Sequence, residues 1–252
     1  MKSLLSGEKI TKSFGAGEEK HRVLNGVSLT IGCGEFVSIM GPSGSGKSTL
    51  LYALSGMDDI DSGEVVFAGR KLSDLSDDDL SDLRRSSMGF VFQQPTLLKN
   101  LNILDNIILP QTRDRHRNVK QLTQKARLLM GQMGIADLEE REITQVSGGQ
   151  LQRAGICRAL MSEPELVFGD EPTGALNTKT AKEIMELFTR INEDGIAILL
   201  VTHDPNVAAR TERVLFLCDG EIVDECRLSK FSGGDFDKRV SQITKRMQAV
   251  GI

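Results

Sequence analysis

The 252-residue chain is predicted to be an α/β protein, a sheet with helices packed on it and a helical body inserted between its strands. Three observations carry that prediction. Short aliphatic strands alternate with helical patterns, a glycine-rich turn joins one such strand to a helix, and the texture of the chain changes in its middle third.

In order, "EFVSIMG" (Glu35 to Gly41) reads as a buried strand entering a glycine-rich turn, and "STLLYALSG" as a helix stopped at Gly56. "SGEVVFAG" and "RVLFLCDGEIVDE" read as strand pairs, the second turning at Asp219-Gly220. "DLSDDDLSDLRR" reads as a solvated helix start and loop. Between about Leu97 and Ile156 the pattern becomes helical: Leu122, Ala126, Leu129 and Met133 are spaced four, three and four apart, one face of a helix. This predicts an inserted helical subdomain at about 95–160. "LVFGDEPTG" (Leu166 to Gly174) is an apolar run of strand character that ends in two adjacent carboxylates, Asp170 and Glu171, and then proline.

Composition excludes several classes. A net charge of -4 gives no electrostatic footprint for nucleic acid. "MKSLLSGEKI" reaches polar residues too soon for a signal peptide. "IAILLV" (Ile196 to Val201) falls far short of the ~20 apolar residues a membrane span needs. Cys33, Cys157, Cys218 and Cys226 lack CxxC spacing, so reduced thiols are expected rather than disulfides or zinc ligands.

"GPSGSGKST", covering Gly41, Pro42, Ser43, Gly44, Ser45, Gly46, Lys47, Ser48 and Thr49, fits G-x-x-x-x-G-K-[ST] between a strand and a helix. Its glycines let consecutive backbone N–H groups face one concavity, and the helix N-terminus adds its dipole. Lys47 is placed to neutralise β- and γ-phosphate oxygens, and the Ser48 hydroxyl to bind Mg²⁺. A flexible Gly/Ser turn would have no need of a lysine there. Asp170, ending its strand, is then the expected partner of that Mg²⁺. Glu171, one residue beyond, is placed to polarise an attacking water.

"VSGGQLQR" (Val146 to Arg153) offers a hydroxyl and approachable N–H groups in front of a second helix, a second anion-binding helix start. A glycine-rich cap would explain two of its residues but not the run. With this motif the chain resembles the ATP-binding-cassette ATPases over nearly its whole length. "GPSGSGKST" is similar to their Walker A motif, "VSGGQ" to the signature with Val146 for the usual leucine, and "LVFGDE" to Walker B.

The resemblance implies a P-loop NTPase cassette with a RecA-like core sheet, an antiparallel β subdomain and the inserted helical subdomain, spanning 1–228. A C-terminal helical extension would occupy 229–252, where a frayed solvated helix is the competing reading. It implies ATP and Mg²⁺ as cofactors, with Glu171 and His203 ("LLVTHD") catalytic and Ser48, Gln93 ("VFQQ") and Asp170 around the metal. Phe14 ("ITKSFGAG") takes the place of the aromatic that stacks on adenine. Ser147, Gly148, Gly149 and Gln150 would hold the γ-phosphate of a second copy in a head-to-tail nucleotide-sandwich dimer.

Within the family, "GFVFQQPTLLKNLNILDNIILP" and "GDEPTGALN" resemble the macrolide-exporter, lipoprotein-releasing and antimicrobial-peptide-resistance branch, and the tail resembles its bacitracin/lantibiotic-resistance members. That branch implies a peripheral ATPase on the cytoplasmic face of the membrane, driving a separate FtsX-like permease and reaching a sensor kinase through it, with no nucleic-acid partner. Other classes in the family are soluble cassettes of translation or chromosome maintenance, which usually carry two cassettes or a long coiled coil, and modules that bind ATP without hydrolysis. Glu171 and His203 speak against the last. One departure stands out: the family's D-loop commonly ends in aspartate, and "GALN" puts Asn177 there.

Overall fold

The computed structural model describes residues 3–15, 17–113 and 118–252. Two sheets organise it. The antiparallel one has the order β2-β1-β4-β5, from β1 (Ser3–Phe14), β2 (His21–Gly32), β4 (Ser62–Phe67) and β5 (Arg70–Lys71). The other has the order β10-β9-β3-β8-β7-β6, from β3 (Phe36–Met40), β6 (Met88–Phe92), β7 (Leu166–Asp170), β8 (Ala197–Thr202), β9 (Arg213–Cys218) and β10 (Glu221–Arg227). Its strands are parallel except for β10 at the edge. Every residue of β3 and β8 is buried, as expected of strands covered on both faces.

Eight α-helices complete the described residues: α1 (Lys47–Leu54), α2 (Asp77–Ser87), α3 (Ile103–Ile108), α4 (Val119–Gln132), α5 (Gly148–Leu160), α6 (Thr178–Glu193), α7 (Pro205–Ala208) and α8 (Phe236–Ala249). The acidic stretch forms a full helix, α2, rather than a helix start and loop. Ser76 Oγ caps it by accepting from Asp79 N–H, and Asp77, Asp78 and Asp79 complement the dipole in its first turn. Of the predicted stripe on α4, Leu122, Ala126 and Met133 at its C-cap are buried. Leu129 is only partly covered, and its neighbour Met130 is buried in its place. The β9–β10 turn is the one read from Asp219-Gly220; both residues have positive φ, 48° and 76°, as a two-residue hairpin of this hand requires.

Three apolar clusters hold the layers together. One joins Ile103, Ile107, Met130 and Ile156 of α3, α4 and α5 to Val91, Val167 and Phe188 beneath the parallel sheet. A second packs α1 (Leu50, Leu51, Leu54) between the other face of that sheet and the antiparallel sheet. The third sets Ile243 of α8 against Met40, Ala208 and Phe216.

The C-terminal extension is therefore docked, not frayed. Ile243 is fully buried, which contributes about 1.5–3 kcal/mol for a side chain of this size. Arg239 is 2% exposed and its guanidinium donates to the carbonyl oxygens of Ala209 (2.6 Å), Thr211 (2.6 Å) and Ser229 (2.8 Å).

Candidate functional site

The register of the parallel sheet assembles the site. Met40 is level with Thr202, Val201 with Asp170, and Asp170 with Phe92. The residues that leave these carboxyl ends are Gly41, His203, Glu171 and Gln93, the crevice where open parallel sheets place ligands. Four motifs far apart in the chain thereby share one edge.

The phosphate loop joins β3 to α1 and is braced from outside. Gly220 N–H of the β9–β10 turn donates to the Ser45 carbonyl oxygen at 3.2 Å. A Cβ on Gly41 would lie 2.1 Å from the Leu217 carbonyl oxygen, so only glycine lets the loop leave β3 this close to β9. Ser45 Oγ is buried and has no hydrogen-bond partner among the described residues, an unsatisfied group inside the phosphate cradle. Lys47 is 7% exposed, and its Nζ donates to the Pro42 carbonyl oxygen at 2.7 Å. Burial lowers its pKa from the ordinary lysine value, opposed by the carboxylates of Glu171 and Asp170.

Asp170 is held at both oxygens. Ser48 Oγ donates to Oδ1 at 2.8 Å and Tyr52 Oη donates to Oδ2 at 2.7 Å. Burial first, then the bond to Asp170 and its charge, push the Tyr52 phenol up to about 12, so it remains a donor at neutral pH. Sequence reasoning missed Tyr52. The signal was its spacing of four from Ser48 on α1, which puts both hydroxyls on one face of the helix. Ser48 and Asp170 offer hard oxygen donors side by side at the phosphate loop. Mg²⁺ is typically held by one or two such groups together with phosphate and water oxygens, and this donor set fits it.

Glu171 follows directly, at φ 45°, a left-handed conformation costing about 1–3 kcal/mol in a residue with a side chain. Its N–H donates to the Val201 carbonyl oxygen at 3.0 Å, and its Oε1 lies 3.0 Å from His203 Nδ1. Gln93 belongs to the same cluster: a Cβ added to Gly174 would lie 2.8 Å from Gln93 Nε2 and 3.3 Å from Glu171 Oε2. The geometry thus brings together Lys47, Ser48, Gln93, Asp170, Glu171 and His203. A groove of about 1320 Å³ opens from Glu171 and His203 along α6 towards Phe231 and Phe236 of the C-terminal segment.

Two predicted groups lie apart from this cluster. Phe14 ends β1, half exposed at 47%, with Lys12 Nζ 5.1 Å from its ring centroid. The signature forms a capping box at the start of α5: Ser147 Oγ accepts from Gln150 N–H at 3.4 Å, and Gln150 Oε1 accepts from Ser147 N–H at 2.8 Å. Gly148 and Gly149 form the first turn. A Cβ on Gly149 would come within 2.5 Å of Thr180 Cγ2, so glycine permits the contact between α5 and the start of α6. Asn177 caps α6, its Oδ1 accepting from Thr180 N–H at 3.0 Å. At this position the asparagine performs the local turn-and-cap role within the described chain.

Comparison with known proteins bears on the whole assembly. A family model described as "ABC transporter" matches residues 24–174. The chain is 44% identical over 229 residues to MJ0796 of Methanocaldococcus jannaschii, an uncharacterized ABC transporter ATP-binding protein, covering 89% of this chain and 97% of the relative. It is 43% identical over 216 residues to the macrolide export ATP-binding/permease protein MacB of Chlorobaculum tepidum, covering 86% of this chain and 33% of that protein. The chain thus spans about a third of the length of the macrolide-export relatives it matches. Among solved structures, the dimeric post-hydrolysis state of the MJ0796 cassette bound to ADP and Pi is similar at TM-score 0.83 and 40% identity, over 90% of this chain and 100% of that one. On its motifs, its two-sheet architecture and these relatives, the chain belongs to the ABC transporter family, as an ATP-binding cassette of the ATPase type.

Proposed function

We propose that this cassette hydrolyses ATP at Glu171 and delivers the resulting conformational change to a separate membrane permease. The observation that carries the reading is the pairing of Glu171 Oε1 with His203 Nδ1 beside Asp170, at the ends of β7 and β8, the latter paired with the strand that enters the phosphate loop. In this reading the loop from Gly41 to Thr49 wraps the phosphates with its N–H groups, Lys47 neutralises their charge, and Phe14 stacks on the adenine. Ser48, Asp170 and Gln93 hold Mg²⁺, which when bound neutralises phosphate charge. Glu171 accepts a proton from water as the water oxygen bonds to the γ-phosphorus and the bond to the ADP oxygen breaks. His203 holds the Glu171 carboxylate and reaches towards the γ-phosphate.

The signature, Ser147 to Gln150, serves the nucleotide of a second copy. The α5 helix it caps packs in a different apolar cluster from α1, on the other face of the parallel sheet from the helix that follows the phosphate loop, which supports use in trans. Binding of two nucleotides then closes a dimer, and hydrolysis reopens it. The permease is of the FtsX-like type, and antimicrobial-peptide export or resistance is the preferred role, with the sensor kinase reached through the permease. Lipoprotein release or macrolide-type export is the second reading, favoured by the similarity to macrolide exporters. Among the described residues no helix is long and apolar enough to cross a membrane, which is consistent with a peripheral subunit on the cytoplasmic face.

Phosphate release from the purified protein, alone and with the permease in proteoliposomes, tests the reading. Stimulation by the permease is expected. Absence of Mg²⁺-dependent phosphate release in both settings would overturn it.

A further inference from the structure

Tyr52 is the only tyrosine of the chain, and there is no tryptophan. Its ring is part-buried against the core that surrounds α1, and its hydroxyl reaches Asp170 Oδ2 at 2.7 Å while Ser48 holds Oδ1 at 2.8 Å. Two donors four residues apart on one helix face therefore clamp a single carboxylate from the same side. We propose that Tyr52 is a positioning residue that fixes the Asp170 carboxylate so that it presents one oxygen, and not two, to the divalent cation shared with Ser48.

The physical consequence concerns which cation is accepted. Mg²⁺ demands near-octahedral geometry and takes single carboxylate oxygens, whereas Ca²⁺ tolerates a carboxylate that offers both. With Oδ2 tied to Tyr52, Asp170 cannot swing to chelate through both oxygens without breaking a charge-assisted hydrogen bond. Groups that orient a ligand in this way typically alter metal affinity about 10–100-fold when removed. Tyr52 thus favours Mg²⁺ over a larger cation by holding a ligand, with no contact to the cation itself.

This rests on the reading of Ser48 and Asp170 as a cation site, and the experiment separates the two. ADP binding to wild type and Tyr52→Phe is measured by calorimetry in EDTA, in Mg²⁺ and in Ca²⁺. Phenylalanine keeps the ring, so the fold should persist, checked by thermal melting. The expected result is ADP affinity in EDTA within twofold of wild type, enhancement by Mg²⁺ reduced about tenfold or more, and enhancement by Ca²⁺ reduced less. A Mg²⁺ enhancement within threefold of wild type overturns the role of Tyr52. No enhancement by either cation in wild type overturns the cation site itself. The wild-type protein supplies a second readout, since all of its intrinsic tyrosine fluorescence comes from Tyr52. Adding Mg²⁺ to the ADP-bound protein should change that emission, and an unchanged emission counts against the proposal.

Discussion

His203 Nδ1 lies 3.0 Å from Glu171 Oε1, which ties together the residues that follow two neighbouring parallel strands. The contact has a backbone cause. Glu171 sits at φ 45°, which turns the chain sharply after Asp170 and separates two carboxylates that are adjacent in sequence. Asp170 faces Ser48 and Tyr52, while Glu171 faces His203. Two neighbouring acids thereby acquire different partners, and different chemistry.

Glu171→Gln keeps the shape of the side chain and removes the base. Nucleotide binding should persist, because Lys47, Ser48 and Asp170 are untouched, while turnover falls roughly 10²–10⁴-fold. The variant should accumulate an ATP-bound dimer, visible by size-exclusion chromatography. Phosphate release within threefold of wild type would sink the assignment.

Lys47→Ala acts earlier, on binding. It removes a charge-assisted contact worth about 1.5–3 kcal/mol, so ATP affinity should fall roughly 10–100-fold by calorimetry. An unchanged affinity would count against the phosphate-loop reading.

Asn177 caps α6 through Thr180 N–H, so its loss should register first as stability. Asn177→Ala should cost about 1 kcal/mol, a fall in Tm of roughly 2–4 °C for a chain of this size. Asn177→Asp restores the family's usual residue and retains the cap, so Tm should stay near wild type. A carboxylate near two triphosphates would repel them, and ATP-driven dimerisation weakened up to about tenfold would show that the charge matters as well. Dimerisation that does not move leaves capping as the residue's role.

Leu98 is the position at which to test permease docking. Of Leu97, Leu98 and Leu101, the first is buried at 8% exposure while Leu98 is 46% exposed. The Leu98 backbone is fixed by the buried Asn106 of α3, whose Oδ1 accepts from Leu98 N–H at 2.6 Å and whose Nδ2 donates to Leu98 O at 3.1 Å. A rigid backbone presenting an exposed leucine suits an apolar groove for a partner helix. Leu98→Glu should abolish co-purification with the permease and leave the melting of the isolated cassette unchanged. Intact co-purification would move the docking surface elsewhere.

Arg239 anchors the C-terminal helix to the segment just past His203. Arg239→Leu strands the carbonyls of Ala209, Thr211 and Ser229 without their donor. The Ala209 and Thr211 acceptors are buried, and unsatisfied buried acceptors cost about 1–3 kcal/mol each, while the carbonyl of exposed Ser229 can turn to water, so a loss of about 2–6 kcal/mol is expected in thermal or urea melts. A variant as stable as wild type would mean that the extension contributes nothing to the fold of the cassette.

The sequence by itself determined whatever a few adjacent residues can dictate. The phosphate loop from Gly41 to Thr49, the helix start at Ser147 and the turn at Asp219-Gly220 were legible because backbone freedom and helix dipoles act over one turn of chain. The alternation of strands and helices likewise announced a sheet with helices packed on it; that its strands are parallel, with their carboxyl ends gathered at one edge, came from the structure. Only the tertiary structure decided which side chains meet. Tyr52 and Asp170 are 118 positions apart, Glu171 and His203 are 32 apart, and Arg239 reaches back 28 positions to Thr211. No local pattern encodes such pairs. They follow from the register of β7 against β8 and from the apolar packing of α1 and α8, which set distant polar groups within hydrogen-bond reach because the buried faces around them admit no other arrangement.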